Sequence, residues 1–268
     1  MSWREFWNEP HSIYVSARHR LLHYDRIAKD IAALVPSPDA LDHVHDFGSN
    51  RSKIMNVIDS TNLERDAGGK PLHTFPHPAL VLDYGCGEAW SADLVAQKCA
   101  KLYLLDAAPN VRDKLRRRFE EEPRISVLDE DGFLGLPDGS LDMVVCNSVL
   151  QYLRADEAAR LIEIWHDKIK QGGRLVLGDV IPPDLGTVDD VKALLTFAFE
   201  GGFLFAALRG LVATFFSNYR ALREAIGLTT YTQEDMLALL SSHGFAAKRA
   251  DRNIGHHQAR MTFVATKI

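Results

Sequence analysis

The chain has 268 residues, enough for one substantial core, and its 46% hydrophobic and 25% charged content is that of an ordinary globular protein. A net charge of -5 excludes a protein that grips nucleic acid non-specifically through a basic face. Three cysteines, Cys86, Cys99 and Cys146, lie in or beside apolar segments without metal-ligand spacing, which excludes a disulfide scaffold and reads as buried thiols in a reducing, cytoplasmic setting.

In chain order, the start Met1-Ser2-Trp3-Arg4-Glu5-Phe6-Trp7 lacks the basic and apolar regions of a secretory signal. Residues 12–34 read as a helix with an apolar stripe of Ile13, Leu21, Leu22, Ile27, Ile31 and Leu34, ended by Pro36. Residues 36–78 form a long polar insertion. Its Asp42-His43-Val44-His45-Asp46, followed by His73 and His77, has no further ligand at firm spacing, so a solvated loop and no metal site is expected.

From Ala79 strand and helix alternate. Strands are predicted at 79–84, 101–105, 124–128, 141–146 and 174–180, and helices at 88–99, 110–121 and 155–170, the last stopping at Gly172-Gly173. Such alternation implies a parallel sheet covered on both faces. Pro182-Pro183 opens a mostly helical apolar stretch, 187–227. Its richest part, Ala193 to Phe216, is broken by Glu200, Gly201-Gly202 and Arg209, so it reads as buried and not as a membrane span. A capped helix starts at Thr232, and two strands near 244–250 and 260–266 close the chain as an antiparallel pair. The whole reads as one domain, 1–268: a lid helix (1–35), the insertion (36–78), a core (79–182), a helical cap (183–230), and a last helix with a hairpin (231–268).

The chemistry begins at Val81-Leu82-Asp83-Tyr84-Gly85-Cys86-Gly87-Glu88-Ala89-Trp90. A strand ends in an acid and runs into a turn with alternate glycines, as a backbone that touches a ligand requires. A second strand closes on Asp106, where an acid would meet a ribose diol. A dinucleotide fingerprint would place a glycine three after Gly87, and Trp90 stands there instead.

With its D-x-G-x-G, the chain resembles the class I S-adenosylmethionine-dependent methyltransferases of the small-molecule, type 11/12-like group. Three further blocks fall in that family's order: Tyr103-Leu104-Leu105-Asp106, the segment Leu136 to Val145, and Gly172-Gly173-Arg174-Leu175-Val176-Leu177. The resemblance implies an α/β fold: a Rossmann-like, doubly wound, mostly parallel seven-stranded sheet with a C-terminal antiparallel hairpin and a helical cap insertion. It implies S-adenosylmethionine as cofactor. Asp83, Gly85 and Gly87 would face its methionine and ribose, Asp106 both ribose hydroxyls, and Glu130 or Asp131 the adenine amino group. Asn147 and Ser148 would border the sulfonium. Tyr14, Arg18, His23 and Tyr24 would lie on a helix folding over the cofactor, with Tyr14 and Arg18 on one face and Arg18 pairing with the methionine carboxylate.

The acceptor half is read from the cap, whose phenylalanines and leucines suit either an apolar or lipid-like small molecule, with O-methylation favoured, or packing and a homodimer interface. If the acceptor is a hydroxyl or an acid, candidate bases are His256, His257, His11 and Asp179. No integral membrane segment and no nucleic-acid partner are expected. Two rivals stand beside this reading. One is a catalytically silent binding protein of the same fold. The other is an NAD(P)-dependent oxidoreductase, disfavoured because the third glycine and a Tyr-x-x-x-Lys pair are missing.

Overall fold

A computed structural model describes residues 14–36, 79–215 and 228–268. The expected polar insertion of 36–78, with His43, His45, His73 and His77, together with His11 and the end of the cap, lies outside the described residues except at its edges.

Seven strands form one sheet: β1 (Leu80–Tyr84), β2 (Lys101–Leu105), β3 (Ile125–Leu128), β4 (Leu141–Asn147), β5 (Ile169–Val180), β6 (Phe245–Arg249) and β7 (Met261–Lys267). Their order is β3-β2-β1-β4-β5-β7-β6, parallel throughout except for β7, which runs antiparallel to both β5 and β6. Alternation along each strand divides the core in two. Val81, Met143 and Val145 face one layer, with α1 (Ala17–Leu34), α2 (Ala92–Ala96) and α3 (Pro109–Arg118). Leu82, Val144 and Cys146 face the other, with α4 (Glu130–Leu134), α5 (Ala155–Lys168) and, further along, α8 (Gln233–Ser242). Strands buried on both faces cannot alternate with polar residues, which is why β4 reads as an almost continuous apolar run.

The cap is α6 (Thr187–Gly201) and α7 (Leu204–Phe215), joined through Gly202 in the left-handed region. Phe197, Ala198, Phe203 and Ala207 form a third small core that also takes in Val15 and Leu22 from the lid segment. The expected stripe of α1 holds for Ile31 but not for Leu21, which is 57% exposed; His19 occupies the buried face instead. No helix among the described residues is long and apolar enough to cross a membrane.

Three boundaries differ from the sequence expectation. The helix predicted at 88–99 shrinks to α2, because the left-handed turn extends beyond Gly85 (φ 76°) and Gly87 (φ 57°) to Ala89 (φ 42°). The helix predicted to stop at Gly172-Gly173 already ends at Lys168. The β4–β5 register jumps from Leu141↔Ile169 to Met143↔Arg174, so the two glycines bulge out at the head of β5. A Cβ at Gly173 would stand 2.7 Å from Ile169 and 2.9 Å from the Lys170 carbonyl. The acidic stretch after β3, where no helix was predicted, is the short helix α4, capped by Asp129.

Candidate functional site

The strand order reverses between β1 and β4, and in an open α/β sheet the crevice beyond the carboxyl ends at that point is where ligands bind. Two groups of residues meet there, one from β1 and β2, the other from β4, β5 and the loop before β7.

The first group is built mostly from backbone. Gly85 and Cys86 donate their N–H groups to the Leu105 carbonyl (2.7 and 3.1 Å), which ties the turn to the end of β2. Asp106 then accepts from Gly87 N (3.0 Å, Oδ2) and Ala108 N (2.9 Å, Oδ1). A carboxylate has about four lone-pair directions, so each oxygen keeps one for a ligand. Burial pushes the Asp106 carboxyl up, while those two N–H groups and Arg112 pull it back down. Asp83, one residue from the end of β1, is pushed up to about 7 by burial and then by the neighbouring Asp106 charge. Two acids held this way favour a cation beside them.

The glycines serve different ends. A Cβ on Gly85 would come within 2.3 Å of Val149 Cγ2, so that position is demanded by internal packing as well as by its φ. A Cβ on Gly87 would stand 3.0 Å from Tyr24 Oη, which also accepts from Glu88 N (3.0 Å). Thus α1 lays Tyr24 directly on the turn. Trp90, where a third glycine was absent, lies outside the crevice between Arg20 and Arg118 (4.6 and 4.3 Å to its ring).

The lid residues do not share one helix face. Tyr14 precedes the N-cap Ser16, whose Oγ accepts from His19 N, so the i, i+4 relation of Tyr14 and Arg18 does not exist. The Tyr14 ring packs on His19 and His23 (both 5.4 Å between centroids) and Tyr24 (5.7 Å). Arg18 turns the other way and donates to the Gly201 carbonyl at the C-terminus of α6, clamping lid to cap. Burial, with further contributions from neighbouring groups, pushes Tyr14 up and Tyr24 up to about 12. It also lowers His19 to about 4, and His23 and His256 to about 3. Tyr14, His19, His23 and Tyr24 are therefore uncharged at neutral pH.

The second group is a side-chain network. Ser148 (φ 60°) and Asp179 (φ 61°) follow β4 and end β5 in left-handed conformations, and Ser148 Oγ donates to Asp179 Oδ2 (2.7 Å). Asn147 donates to Ser148 Oγ (3.1 Å), while its buried Oδ1 has no donor among the described residues. Arg260 bridges Asp179 (2.6 Å) and Asp190 (3.0 Å), and Asn253 donates to Asp179 and accepts from its N–H. Together with Ala89, these are the only non-glycine residues at positive φ among the described ones, and all three border the crevice, where strain often collects.

Of the four candidate bases, His11 lies outside the described residues. Asp179 is held by Arg260. His256 stacks on Phe197 (4.5 Å, 15°). His257 is buried, its Nε2 3.0 Å from Asp190 Oδ1 but off a hydrogen-bonding axis. Glu130 and Asp131 sit exposed in the first turn of α4. Reading the sequence missed Asp129, Asp190, Asn253 and Arg260. Asp129 carried a local signal as the first acid after β3; the others are joined to the site only by folding, Arg260 being 81 positions from Asp179.

A family profile described as a methyltransferase domain matches residues 82–177, the segment from β1 into β5. Magnesium protoporphyrin IX methyltransferase from Synechocystis PCC 6803, solved with bound S-adenosylhomocysteine, shares the fold at TM-score 0.53 and 17% identity, over 99% of this chain and 93% of that one. The same enzyme with bound S-adenosylmethionine gives 0.50 and 16%, over 99% and 89%. A curated protein of Nitrobacter winogradskyi, a protein-glutamate methylesterase/protein-glutamine glutaminase, is 65% identical over 49 residues, 18% of this chain; the chain spans only 11% of that protein's length. The domain match spans the glycine turn and Asp106 and the strand order continues it, so residues 82–177 form a class I S-adenosylmethionine-dependent methyltransferase domain of the type 11/12-like group.

Proposed function

We propose that this protein transfers the methyl group of S-adenosylmethionine to a small acceptor with an apolar body, on oxygen. The observation that carries the donor half is Asp106, anchored by Gly87 N and Ala108 N with one acceptor direction left on each oxygen. The crevice suits the cofactor. Asp106 would take the ribose hydroxyls, Gly85 and Gly87 the backbone approach, and Asp83 with the orphan Asn147 Oδ1 the ammonium of the methionine part. Glu130 and Asp131 stand on the adenine side. Arg18, engaged by Gly201, would reach a carboxylate only after letting the cap go.

The cofactor supplies an electrophilic methyl whose leaving group, a thioether, needs no proton. What the chain must supply is alignment and dryness. Tyr14, His23 and Tyr24 close the turn against water. Ser148 and Asp179, fixed by Arg260 and Asn253, form a rigid polar edge at the other side of the crevice. Asp179 is committed to Arg260, and His256 is held neutral by burial. The arrangement therefore favours an acceptor oxygen that is ionised on arrival or loses its proton to water. The exposed Phe199 and Phe205 on the cap would be the face of a homodimer.

Calorimetry with S-adenosylhomocysteine tests the donor half: binding is expected, and heat with a dinucleotide instead would overturn it. Labelled S-adenosylmethionine offered with phenols, carboxylic acids, amines, peptides and nucleic acids tests the rest. Transfer only to a polymer would sink the small-acceptor reading, and tight cofactor binding without turnover on any of them would favour the silent binding protein.

A further inference from the structure

Trp90 is a large apolar side chain that the fold leaves 42% exposed, so core packing does not account for its place. Charge holds it instead. The guanidinium of Arg20, on the first half of α1, lies 4.6 Å from its ring, and that of Arg118, the last residue of α3, lies 4.3 Å away. Its Nε1 donates to Glu88 Oε2 (2.8 Å), and the same carboxylate oxygen stands 3.5 Å from Arg20.

Glu88 directly follows Gly87, and the neighbouring elements converge on it. Its N–H donates to Tyr24 Oη (3.0 Å), its carbonyl accepts from Arg118, and its carboxylate takes Trp90 and Arg20. Arg20 and Tyr24 are i, i+4 on α1 and so share one face of that helix. That face is fastened to the end of the glycine turn twice, by a hydroxyl over the turn and by a stack outside the crevice.

The two halves of α1 are held differently. Ala28 and Ile31 are buried in the core, Asp30 accepts from Gly255 N (2.9 Å), and the Leu34 carbonyl accepts from Arg174 (3.3 Å). The second half is thereby fixed to the sheet. The first half has the cap on one side, through Arg18 and Leu22, and the glycine turn on the other, through Tyr24 and Arg20. Tyr24 Oη stands 3.0 Å from the place a Cβ on Gly87 would take, so the open face of that glycine is covered by α1.

We propose that Arg20, Trp90, Arg118 and Glu88 form a latch on α1, and that Trp90 sets how fast the cofactor is exchanged. The first half of α1 lifts Tyr24 off Gly87 to admit S-adenosylmethionine and to release its product. Trp90 is a positioning residue, acting on α1 through Arg20 and Glu88. The latch closes over empty and filled crevice alike, so it slows entry and exit equally and leaves affinity unchanged. Exposed cation–ring contacts are worth about two- to fivefold in an equilibrium, and exposed ion pairs no more, so the latch is weak enough to open in turnover. This rests on the methyltransferase reading above and adds how its cofactor is exchanged.

Stopped-flow mixing of the full chain with S-adenosylhomocysteine tests the latch. Trp90→Ala and Arg20→Ala are each expected to raise the association and dissociation rates together, by about five- to tenfold, with calorimetric Kd within about twofold of wild type. Trp90→Phe, which keeps a ring for Arg20, should retain most of the slow exchange. A general loosening of the fold would speed dissociation and weaken binding without speeding association. Unchanged rates in both alanine variants, or faster dissociation with a matching loss of affinity, would overturn the proposal. Hydrogen exchange reads the latch without a cofactor: in Trp90→Ala the amides of 19–25 should exchange about threefold faster or more, and those of 28–34 as in wild type. Equal protection of 19–25 in the two proteins would sink the latch as well. Wild-type protein that binds no S-adenosylhomocysteine removes the donor reading, and the exchange measurement then decides the latch alone.

Discussion

The two ends of the crevice are built from different materials. The β1–β2 end is backbone: a left-handed turn, the Leu105 carbonyl and two N–H groups on Asp106, all within residues 83–108. The β4–β5 end is side chains brought from positions 147 to 260, joined through one guanidinium. A backbone site tolerates change in everything except the residues that allow the turn. A side-chain site hangs on its central charge, and the rest of it is free to vary with the substrate.

That contrast predicts where damage goes. Arg260→Met would leave Asp179 and Asp190 partly buried without their cation. Removing one partner of such a set costs about 3–5 kcal/mol, so a large fall in melting temperature is expected, with S-adenosylhomocysteine affinity within roughly twofold of wild type. A variant as stable as wild type would show that the network is not held by Arg260.

Asp106→Asn should cost less stability than that, about 1–3 kcal/mol, since its amide nitrogen can no longer accept from one of Gly87 N and Ala108 N, and should weaken binding of S-adenosylhomocysteine by about 1.5–3 kcal/mol, the worth of a hydrogen bond to a charged group. Unchanged calorimetric affinity would move the ribose away from Asp106.

Acidity separates the ends again. His19, His23 and His256 titrate at about 4, 3 and 3 in the fold, below the usual 6.5, because burial disfavours imidazolium. Their contribution is complete above pH 6.5 and is lost as pH falls toward 4 for His19 and toward 3 for His23 and His256, by up to about 1.4 kcal/mol per unit for each group. Asp83 runs the other way. Raised to about 7, it contributes fully below its unfolded value near 3.8 and loses that contribution as pH rises through 7. Melting of the ligand-free protein should rise from about pH 4 to about 6.5, the three histidines outweighing Asp83, and Asp83→Asn should steepen that rise by removing the opposing loss. The thermal shifts given by S-adenosylmethionine and S-adenosylhomocysteine, which share the ammonium assigned to Asp83, should grow together from about pH 6 to 7.5. Shifts that stay flat over that range would place the ammonium elsewhere.

The smallest expected effect is at Ala89, which adopts φ 42° where a glycine would do so without a steric penalty. Ala89→Gly should raise stability by about 1 kcal/mol without weakening the cofactor analogue. A loss of stability in urea titration would mean that the buried methyl outweighs the strain.

Much of this was legible in residue order. β1, β2, β4 and the closing pair lie within a residue or two of expectation, because strands buried on both faces must be apolar runs bounded by turn residues. Asp83, Gly85, Gly87 and Asp106 stood out for the same reason: their geometry is local. The shortened α2 was not legible, since Ala89 gives no sign of a left-handed φ. Nor was the separation of Tyr14 from α1, which depends on Ser16 taking the cap.

The sequence by itself determined the strands, the glycine turn and its acids, because each is set by periodicity and by φ preferences acting over a few residues. Only the tertiary structure decided that Tyr24 sits on that turn, that Arg18 clamps the cap, that Arg260 joins Asp179 to Asp190, and that Arg20 and Arg118 meet on Trp90. Such contacts come from burial and charge pairing between segments far apart in the chain, and no local pattern encodes them.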